Sequence, residues 1–95
     1  MANVAVITGA AQGIGRRTAQ VLNEQGWSLL LLDLQNIDTS EYSSAIALAG
    51  DISDEQFVES AAKQCLEKFG RVDALVNNAG ISCISSAIDT SAELY

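Results

Sequence analysis

The 95-residue sequence contains no histidine, no proline and only two cysteines. Without histidine, it lacks the commonest general base and the commonest metal ligand, so a Ser-His-Asp triad is excluded. Cys65 and Cys83 stand too far apart for the spacing of a zinc site. We therefore predict no metal centre, and we expect two reduced thiols in a cytoplasmic protein.

Basic residues are also scarce, because five Lys and Arg face twelve Asp and Glu and leave a net charge of −7. A chain of this sign repels the phosphate backbone of nucleic acids and anionic membrane surfaces. The sequence has no apolar run near the roughly 20 residues of a membrane-spanning helix and no secretory leader. We predict a soluble single domain that binds neither nucleic acid nor membrane.

Short, mostly apolar runs alternate with longer amphipathic segments, a pattern typical of βαβ units. Parallel strands that are covered on both faces are predicted at three runs: Val4–Thr8, Ser28–Leu32 and Val72–Asn77. Ala45–Ala49 is a weaker fourth candidate. Only about eleven residues, 34–44, are available to carry the chain across the sheet before Ala45, so we expect a short helix there or none.

Two helices are predicted. The first extends from Ile14 to about Gln25, with Gly26 at its end. Its predicted apolar stripe comprises Ile14, Thr18, Val21, Leu22 and Gln25. The second helix begins at a capping box formed by Ser53 and Gln56 and ends at Gly70. Its apolar face comprises Phe57, Val58, Ala61, Ala62, Cys65, Leu66 and Phe69.

A glycine-rich segment, Thr8–Gly15, leaves the first predicted strand and opens the first helix. Gly9 permits a sharp turn, Gly13 lets backbone N–H groups approach a pyrophosphate, and Gly15 lets the helix lie close to the sheet. A helix N-terminus also favours negative charge. The alternative, a turn that only connects two elements, is less favoured because all three glycines lie between a strand and a helix.

Asp33 follows the second predicted strand, eighteen residues after Gly15. A carboxylate at this position can accept both hydroxyls of an adenosine ribose and repels a 2′-phosphate. No basic residue adjoins it, since Leu34 and Gln35 follow, and Gln12 brings no charge into the loop. The alternative is a solvated Asp at a strand end, but the spacing from the glycines favours a cofactor role with NAD rather than NADP.

These motifs together resemble the short-chain dehydrogenase/reductase family. Thr8–Gly15 is similar to its TGxxxGxG loop, Asp51-Ile52-Ser53 to its adenine-contacting segment, and Asn77-Asn78-Ala79-Gly80 to its NNAG motif. The resemblance implies an α/β fold, a partial Rossmann-like doubly wound parallel sheet with strand order 3-2-1-4. Residues 1–95 would form one NAD-binding domain, incomplete at its C-terminus and truncated before the catalytic half.

The resemblance also implies which residues contact NAD. Asp51 and Ile52 would hold the adenine, although Asp51 and Ser53 could instead only start a helix. Asn77 would be mainly structural, while the backbone from Asn78 onward would pass near the ribose. The predicted cofactor-binding residues are Gly9, Gln12, Gly13, Ile14, Gly15, Asp33, Leu34, Asp51, Ile52, Asn78, Ala79 and Gly80.

The family's catalytic Tyr-x-x-x-Lys pair has no counterpart here, because Ile46 stands four residues after Tyr42 and Tyr95 is the last residue. The resemblance thus implies the NAD-binding part of an oxidoreductase that interconverts a secondary alcohol and a ketone, inactive alone. The first alternative is a module that binds NAD or ADP-ribose without catalysis, or that pairs with itself through an open strand edge as a homo-oligomer. The second, weaker alternative is a Rossmann-like methyltransferase.

Overall fold

Four parallel strands form one sheet in the order β3-β2-β1-β4. The computed structural model describes residues 2–78. The elements are β1 (Val4–Thr8), α1 (Gly13–Glu24), β2 (Ser28–Asp33), β3 (Ala45–Ala49), α2 (Glu55–Phe69) and β4 (Ala74–Asn77). The predicted α/β class and strand order 3-2-1-4 are confirmed. Neither of these two helices has the length and hydropathy needed to cross a lipid bilayer.

The two central strands carry the core, and alternate residues point to opposite faces of the sheet. On one face Val6, Leu30 and Leu32 pack with the buried side of α2. On the other face Ala5, Ile7, Leu29 and Leu31 pack with Ala19 of α1 and with Tyr42. Because both faces are covered, β1 and β2 are continuous apolar runs, as the sequence predicts.

The buried side of α1 differs from the predicted stripe. Its fully buried residues are Gly15 and Ala19, and Leu22 packs against the same cluster, whereas Ile14 is 78% exposed. The small residues face the sheet because the helix starts in close contact with the end of β1. The prediction that Ile14 belongs to the core-facing stripe is therefore wrong.

The helix α2 begins one residue later than the predicted capping box requires. Asp54 is the N-cap residue, and its Oδ1 accepts the Gln56 N–H at 3.0 Å. Ser53 instead donates through its N–H and its hydroxyl to Asp51 Oδ1, at 2.9 and 2.7 Å. The end of the helix at Gly70, with a left-handed backbone at φ 77°, is as predicted.

The strand β4 begins at Ala74 rather than at the predicted Val72. Asp73 makes the difference, since its Oδ2 accepts the Val4 N–H at 2.7 Å and the Arg71 Nε–H at 2.9 Å. The Asp73 N–H in turn donates to the Val4 carbonyl at 2.8 Å. A side chain thus binds the first N–H of β1, and the regular ladder starts one residue later.

Residues 34–44 cross from β2 to β3 without a helix, as predicted. The loop is held against α1 by Asn23, whose Oδ1 accepts the Ser43 N–H at 2.9 Å and whose Nδ2 donates to the Glu41 carbonyl at 3.3 Å. The Tyr42 ring is buried in the α1-side core. Burial raises the Tyr42 pKa to about 12, with a further contribution from the Glu41 carboxylate.

Candidate cofactor-binding site

The carboxyl ends of the parallel strands bring four predicted segments to one edge of the sheet. The glycine loop follows β1, Asp33 ends β2, Asp51 follows β3, and Asn78 follows β4. In open parallel sheets, ligands bind in the crevice outside these ends. The topology therefore places the residues that the motifs single out on one side of the molecule.

The glycine loop connects β1 to the N-terminus of α1. Gly9 and Gly13 have φ values of 63° and 64°, a left-handed conformation that other residues adopt only with strain. Gln12, the N-cap residue, makes no side-chain cap, and the first turn of α1 contains no acidic residue. The helix start therefore presents backbone N–H groups with no carboxylate of its own first turn competing for them.

Gly15 is required by close packing rather than by its backbone angle. A Cβ at this position would lie 2.8 Å from the Gly9 carbonyl carbon and 3.1 Å from Asn78 Nδ2. The glycine thus lets α1 contact Gly9, the first residue after β1. The predicted close approach of helix and sheet is therefore present, and Gly9 is the point of contact. A Cβ at Gly13, in contrast, would meet nothing within 4 Å.

Asp33 joins the end of β2 to the glycine loop. Its Oδ2 accepts the Ala11 N–H at 3.0 Å, and its Oδ1 accepts the Gln35 N–H at 3.0 Å. A carboxylate has about four lone-pair positions, so both oxygens retain capacity for further donors such as ribose hydroxyls. The predicted proximity of Asp33 and the loop is therefore present in the structure.

A cavity of about 350 Å³ opens beside Asp33, and we call it the Asp33 cavity. Five of the residues lining it are among the predicted cofactor contacts, namely Gly9, Asp33, Leu34, Asp51 and Ile52. Leu34 is 74% exposed, and Leu34 and Ile14 are the exposed large hydrophobic residues of the described chain. An exposed apolar side chain at a cavity is an arrangement that a bound planar base would cover.

Asp51 and Ile52 form the far wall of the Asp33 cavity. The two Ser53 hydrogen bonds hold the Asp51 pKa below its usual value, so this carboxylate is ionised at neutral pH. Asp51 is not the N-cap residue of α2, but its carbonyl accepts the Asp54 N–H at 2.9 Å and its Oδ1 accepts the Ser53 N–H, so it shapes the turn that leads into the helix. Ile52 is buried and packs in the α2-side core.

Both asparagines of the NNAG motif contact Thr8, the last residue of β1. Asn77 Oδ1 accepts the Thr8 hydroxyl at 3.0 Å, and Asn78 Nδ2 donates to the Thr8 carbonyl at 3.2 Å. The amide side chains thus tie β4 to β1, as the structural alternative predicts. Ala79 and Gly80 lie outside the described residues.

One ion pair near this edge of the sheet was not predicted. Arg16 pairs with Glu41 across the loop, with 3.5 Å between Nη2 and Oε2, and both side chains line a second cavity. The sequence places these residues 25 positions apart with no shared motif, so only the fold of the 34–44 loop reveals the pair.

Comparison with known proteins agrees with this geometry. The profile described as short chain dehydrogenase matches residues 3–94. The chain belongs to the short-chain dehydrogenase family. This family member is 44% identical over 87 residues to a 3-hydroxyacyl-CoA dehydrogenase type-2 from Bos taurus, a match covering 86% of this chain and 33% of that protein.

Further members match at similar levels. A 1,6-dihydroxycyclohexa-2,4-diene-1-carboxylate dehydrogenase from Pseudomonas putida is 42% identical over 85 residues, which cover 81% of this chain and 31% of the relative. The solved structure of a 3-ketoacyl-(acyl-carrier-protein) reductase from Brucella melitensis, complexed with NADH, superposes with a TM-score of 0.76 and 39% identity, covering 83% of this chain and 34% of that one. The chain spans 33–41% of the length of several curated relatives.

Proposed function

We propose that this chain binds NAD, with the adenosine in the Asp33 cavity and the pyrophosphate on the glycine loop. The observation that carries the proposal is the hydrogen bond from Ala11 N–H to Asp33 Oδ2, at 3.0 Å. It joins the residue suited to bind the ribose to the loop suited to bind the phosphates. The Brucella melitensis reductase, whose structure was solved in complex with NADH, supports the same cofactor class.

The charges around Asp33 favour NAD over NADP. The Asp33 carboxylate would repel a 2′-phosphate. A basic side chain beside the ribose or in the glycine loop would be needed to bind that phosphate. Leu34, which follows Asp33, and Gln12 in the loop are both uncharged. The ionised Asp51 across the Asp33 cavity adds a second negative charge.

The protein that contains this chain is proposed to be an NAD-dependent oxidoreductase acting on a secondary alcohol or ketone. The bound nicotinamide would accept or donate the hydride. The residues of this chain would bind and orient the dinucleotide: backbone N–H groups at the start of α1 toward phosphate, Asp33 toward ribose, and Ile52 toward adenine. The names of the dehydrogenases and the reductase it resembles support this reaction class.

Calorimetric titration of the 95-residue chain with NAD, ADP-ribose and NADP tests the binding. We expect saturable binding of NAD and ADP-ribose, and NADP weaker by about tenfold or more because a dianion faces Asp33. Asp33→Ala should remove most of the NAD affinity. Asp38→Ala is the matched control, because Asp38 also accepts a backbone N–H two residues ahead, from Ser40 at 2.9 Å, but does not line the Asp33 cavity.

The outcome distinguishes the alternatives. The proposal would be refuted if the chain, shown to be folded by circular dichroism, bound none of these ligands at millimolar concentration. The methyltransferase alternative is already excluded by the match of residues 3–94 to the short chain dehydrogenase profile. The reaction is tested with the natural protein that contains residues 1–95, by measuring NADH formation from secondary alcohols. NAD binding by that protein without any turnover across a broad alcohol and ketone panel would favour a binding module.

A further inference from the structure

The second cavity lies between the start of α1 and the loop from β2 to β3. Its volume is about 220 Å³, and we call it the Arg16 cavity. Ala10 and Ala11 of the glycine loop form one wall, and residues from Asn36 to Tyr42 form the other. Polar and charged side chains predominate, so the Arg16 cavity suits a polar group rather than an apolar ring.

The Arg16 cavity adjoins the position assigned to the ribose. Ala11 is common to both, since it lines the Arg16 cavity and its N–H donates to Asp33 Oδ2 at 3.0 Å. The chain that continues from Asp33 forms the opposite wall three residues later, at Asn36. A phosphate attached to a ribose hydroxyl at Asp33 would therefore lie beside the Arg16 cavity.

The charged side chains that line the Arg16 cavity disfavour the binding of such a phosphate. Within residues 2–78, Arg16 is the only basic side chain that lines it, while Asp38 and Glu41 are acidic. Glu41 Oε2 lies 3.5 Å from Arg16 Nη2. The one group able to attract a phosphate thus already has an anionic partner.

The position of Glu41 is fixed by its neighbours in the loop. Asn23 Nδ2 donates to the Glu41 carbonyl at 3.3 Å, and the next residue, Tyr42, is buried in the core. The backbone on the C-terminal side of Glu41 is therefore anchored to α1. The anchored loop places the Glu41 carboxylate within ion-pair distance of Arg16.

We propose that Glu41 is a specificity-determining residue that excludes NADP by holding Arg16 in an ion pair and so keeping this cation from the 2′-phosphate. This inference rests on the proposed binding of NAD through Asp33. Part of the discrimination between NAD and NADP is thus assigned to Glu41, which lies in the loop between β2 and β3. Removal of the Glu41 charge should convert Arg16 into a ligand for the 2′-phosphate.

A double-mutant cycle of Glu41→Gln, Arg16→Ala and their combination tests the inference on the full 95-residue chain, with NAD and NADP titrated against each variant by calorimetry. Glu41→Gln should strengthen NADP binding about twofold to fivefold, the range expected when a partly exposed ion pair is broken and its cation is freed. NAD binding should change by less than about twofold, because NAD places no phosphate there. The gain should shrink in high salt, since the pair is half exposed.

Two variants make the test specific. Arg16→Ala combined with Glu41→Gln should abolish the gain in NADP affinity, because the cation is gone. Glu24→Gln, which neutralises an exposed carboxylate elsewhere on α1, should leave both affinities unchanged. Circular dichroism and thermal melting of every variant establish that each is folded before titration.

The outcomes separate this inference from the proposed function. Unchanged NADP affinity in Glu41→Gln, or a gain that persists without Arg16, would overturn the inference while intact NAD binding leaves the proposed function standing. Absence of NAD binding in the folded parent chain would refute the proposed function and this inference with it.

Discussion

The three loop glycines meet different physical demands at the scale of single residues. Gly9 and Gly13 adopt left-handed backbone, whereas Gly15 is helical and has no room for a side chain. The sequence predicted the sharp turn at Gly9 and the close approach of helix and sheet at Gly15. It did not predict the left-handed backbone at Gly13, because conformational and steric demands select the same amino acid.

Gly15→Ala should therefore be more damaging than Gly13→Ala. The added methyl group would overlap the Gly9 carbonyl, and the overlap with backbone should cost about 1–3 kcal/mol of stability and displace the loop. Gly13→Ala meets no neighbour and should cost only the left-handed strain of about 1–2 kcal/mol. Urea denaturation measures the stabilities, and NAD titration measures the effect of loop displacement.

Gln20→Ala is the control for adding alanine to α1, and it should shift stability by less than about 0.5 kcal/mol. NAD affinity should fall in both variants: in Gly15→Ala because the loop is displaced, and in Gly13→Ala because the methyl group would stand where the backbone is proposed to approach the pyrophosphate. A Gly15→Ala chain with unchanged stability and affinity would show that the close approach is dispensable.

At the scale of elements, periodicity predicted the strands β1, β2 and β3 and the existence of both helices. These elements are set by apolar burial, which a sequence displays directly. The errors occur where side-chain hydrogen bonds replace backbone ones, at Asp73 before β4 and at Asp54 before α2. A local pattern does not show which of several nearby polar residues, such as Ser53 or Asp54, will bind the backbone.

The buried side of α1 was missed for a related reason. Ile14 appeared to continue the apolar stripe, but it stands beside the candidate cofactor site, where an exposed apolar residue is compatible with ligand contact. The residues that do face the sheet, Gly15 and Ala19, are small and give little hydrophobic signal. Close packing of small residues thus overrides the periodicity at this helix.

The attachment of β4 to β1 should depend on pH through Asp73. Its hydrogen bond from Arg71, and then that from the Val4 N–H, lower the Asp73 pKa below the usual 3.8. Because the Asp73 carboxyl has a lower pKa in the folded chain than in the unfolded chain, its ionised form stabilises the fold at every pH above the unfolded pKa. This stability is lost as the pH falls through the folded pKa. Asp73→Asn should therefore be less stable than the parent at neutral pH.

The difference between Asp73→Asn and the parent chain should shrink progressively below about pH 4, the ordinary range of an Asp carboxyl. Urea midpoints across the acid range provide the measurement. Glu59→Gln, on the exposed side of α2, serves as the control and should follow the parent. A constant difference at all pH values would mean that the Asp73 charge does not stabilise this junction.

At the scale of the whole molecule, two thin cores on opposite faces share the same central strands. Val6 and Ile7 are neighbours in β1, yet they belong to different clusters. Loss of packing on one face therefore disturbs the strands on which the other face depends. We expect the described part of the chain to unfold as one cooperative unit, and Cys65 offers a reporter of that transition.

Cys65 is fully buried in the α2-side core, and burial raises its pKa from 9.0 to about 11. In a Cys83→Ser background, this thiol should react with an aromatic disulfide reagent only after unfolding. In the folded chain the thiol is shielded from the reagent and stays protonated. The labelling rate near neutral pH should rise with urea in proportion to the unfolded fraction. Rapid labelling without urea would indicate local opening of α2 rather than cooperative unfolding.

The same burial predicts a loss of stability at alkaline pH. Because the folded-state pKa of the thiol is raised, its contribution is fully present below about pH 9 and is lost as the pH rises toward 11. Urea midpoints of Cys83→Ser should therefore decline more steeply in this range than those of a Cys65→Ala, Cys83→Ser double variant. Tyr42, whose pKa is raised to about 12, is common to both chains, so the difference between them isolates the thiol. Parallel declines would mean that the Cys65 thiolate is accommodated in the folded core.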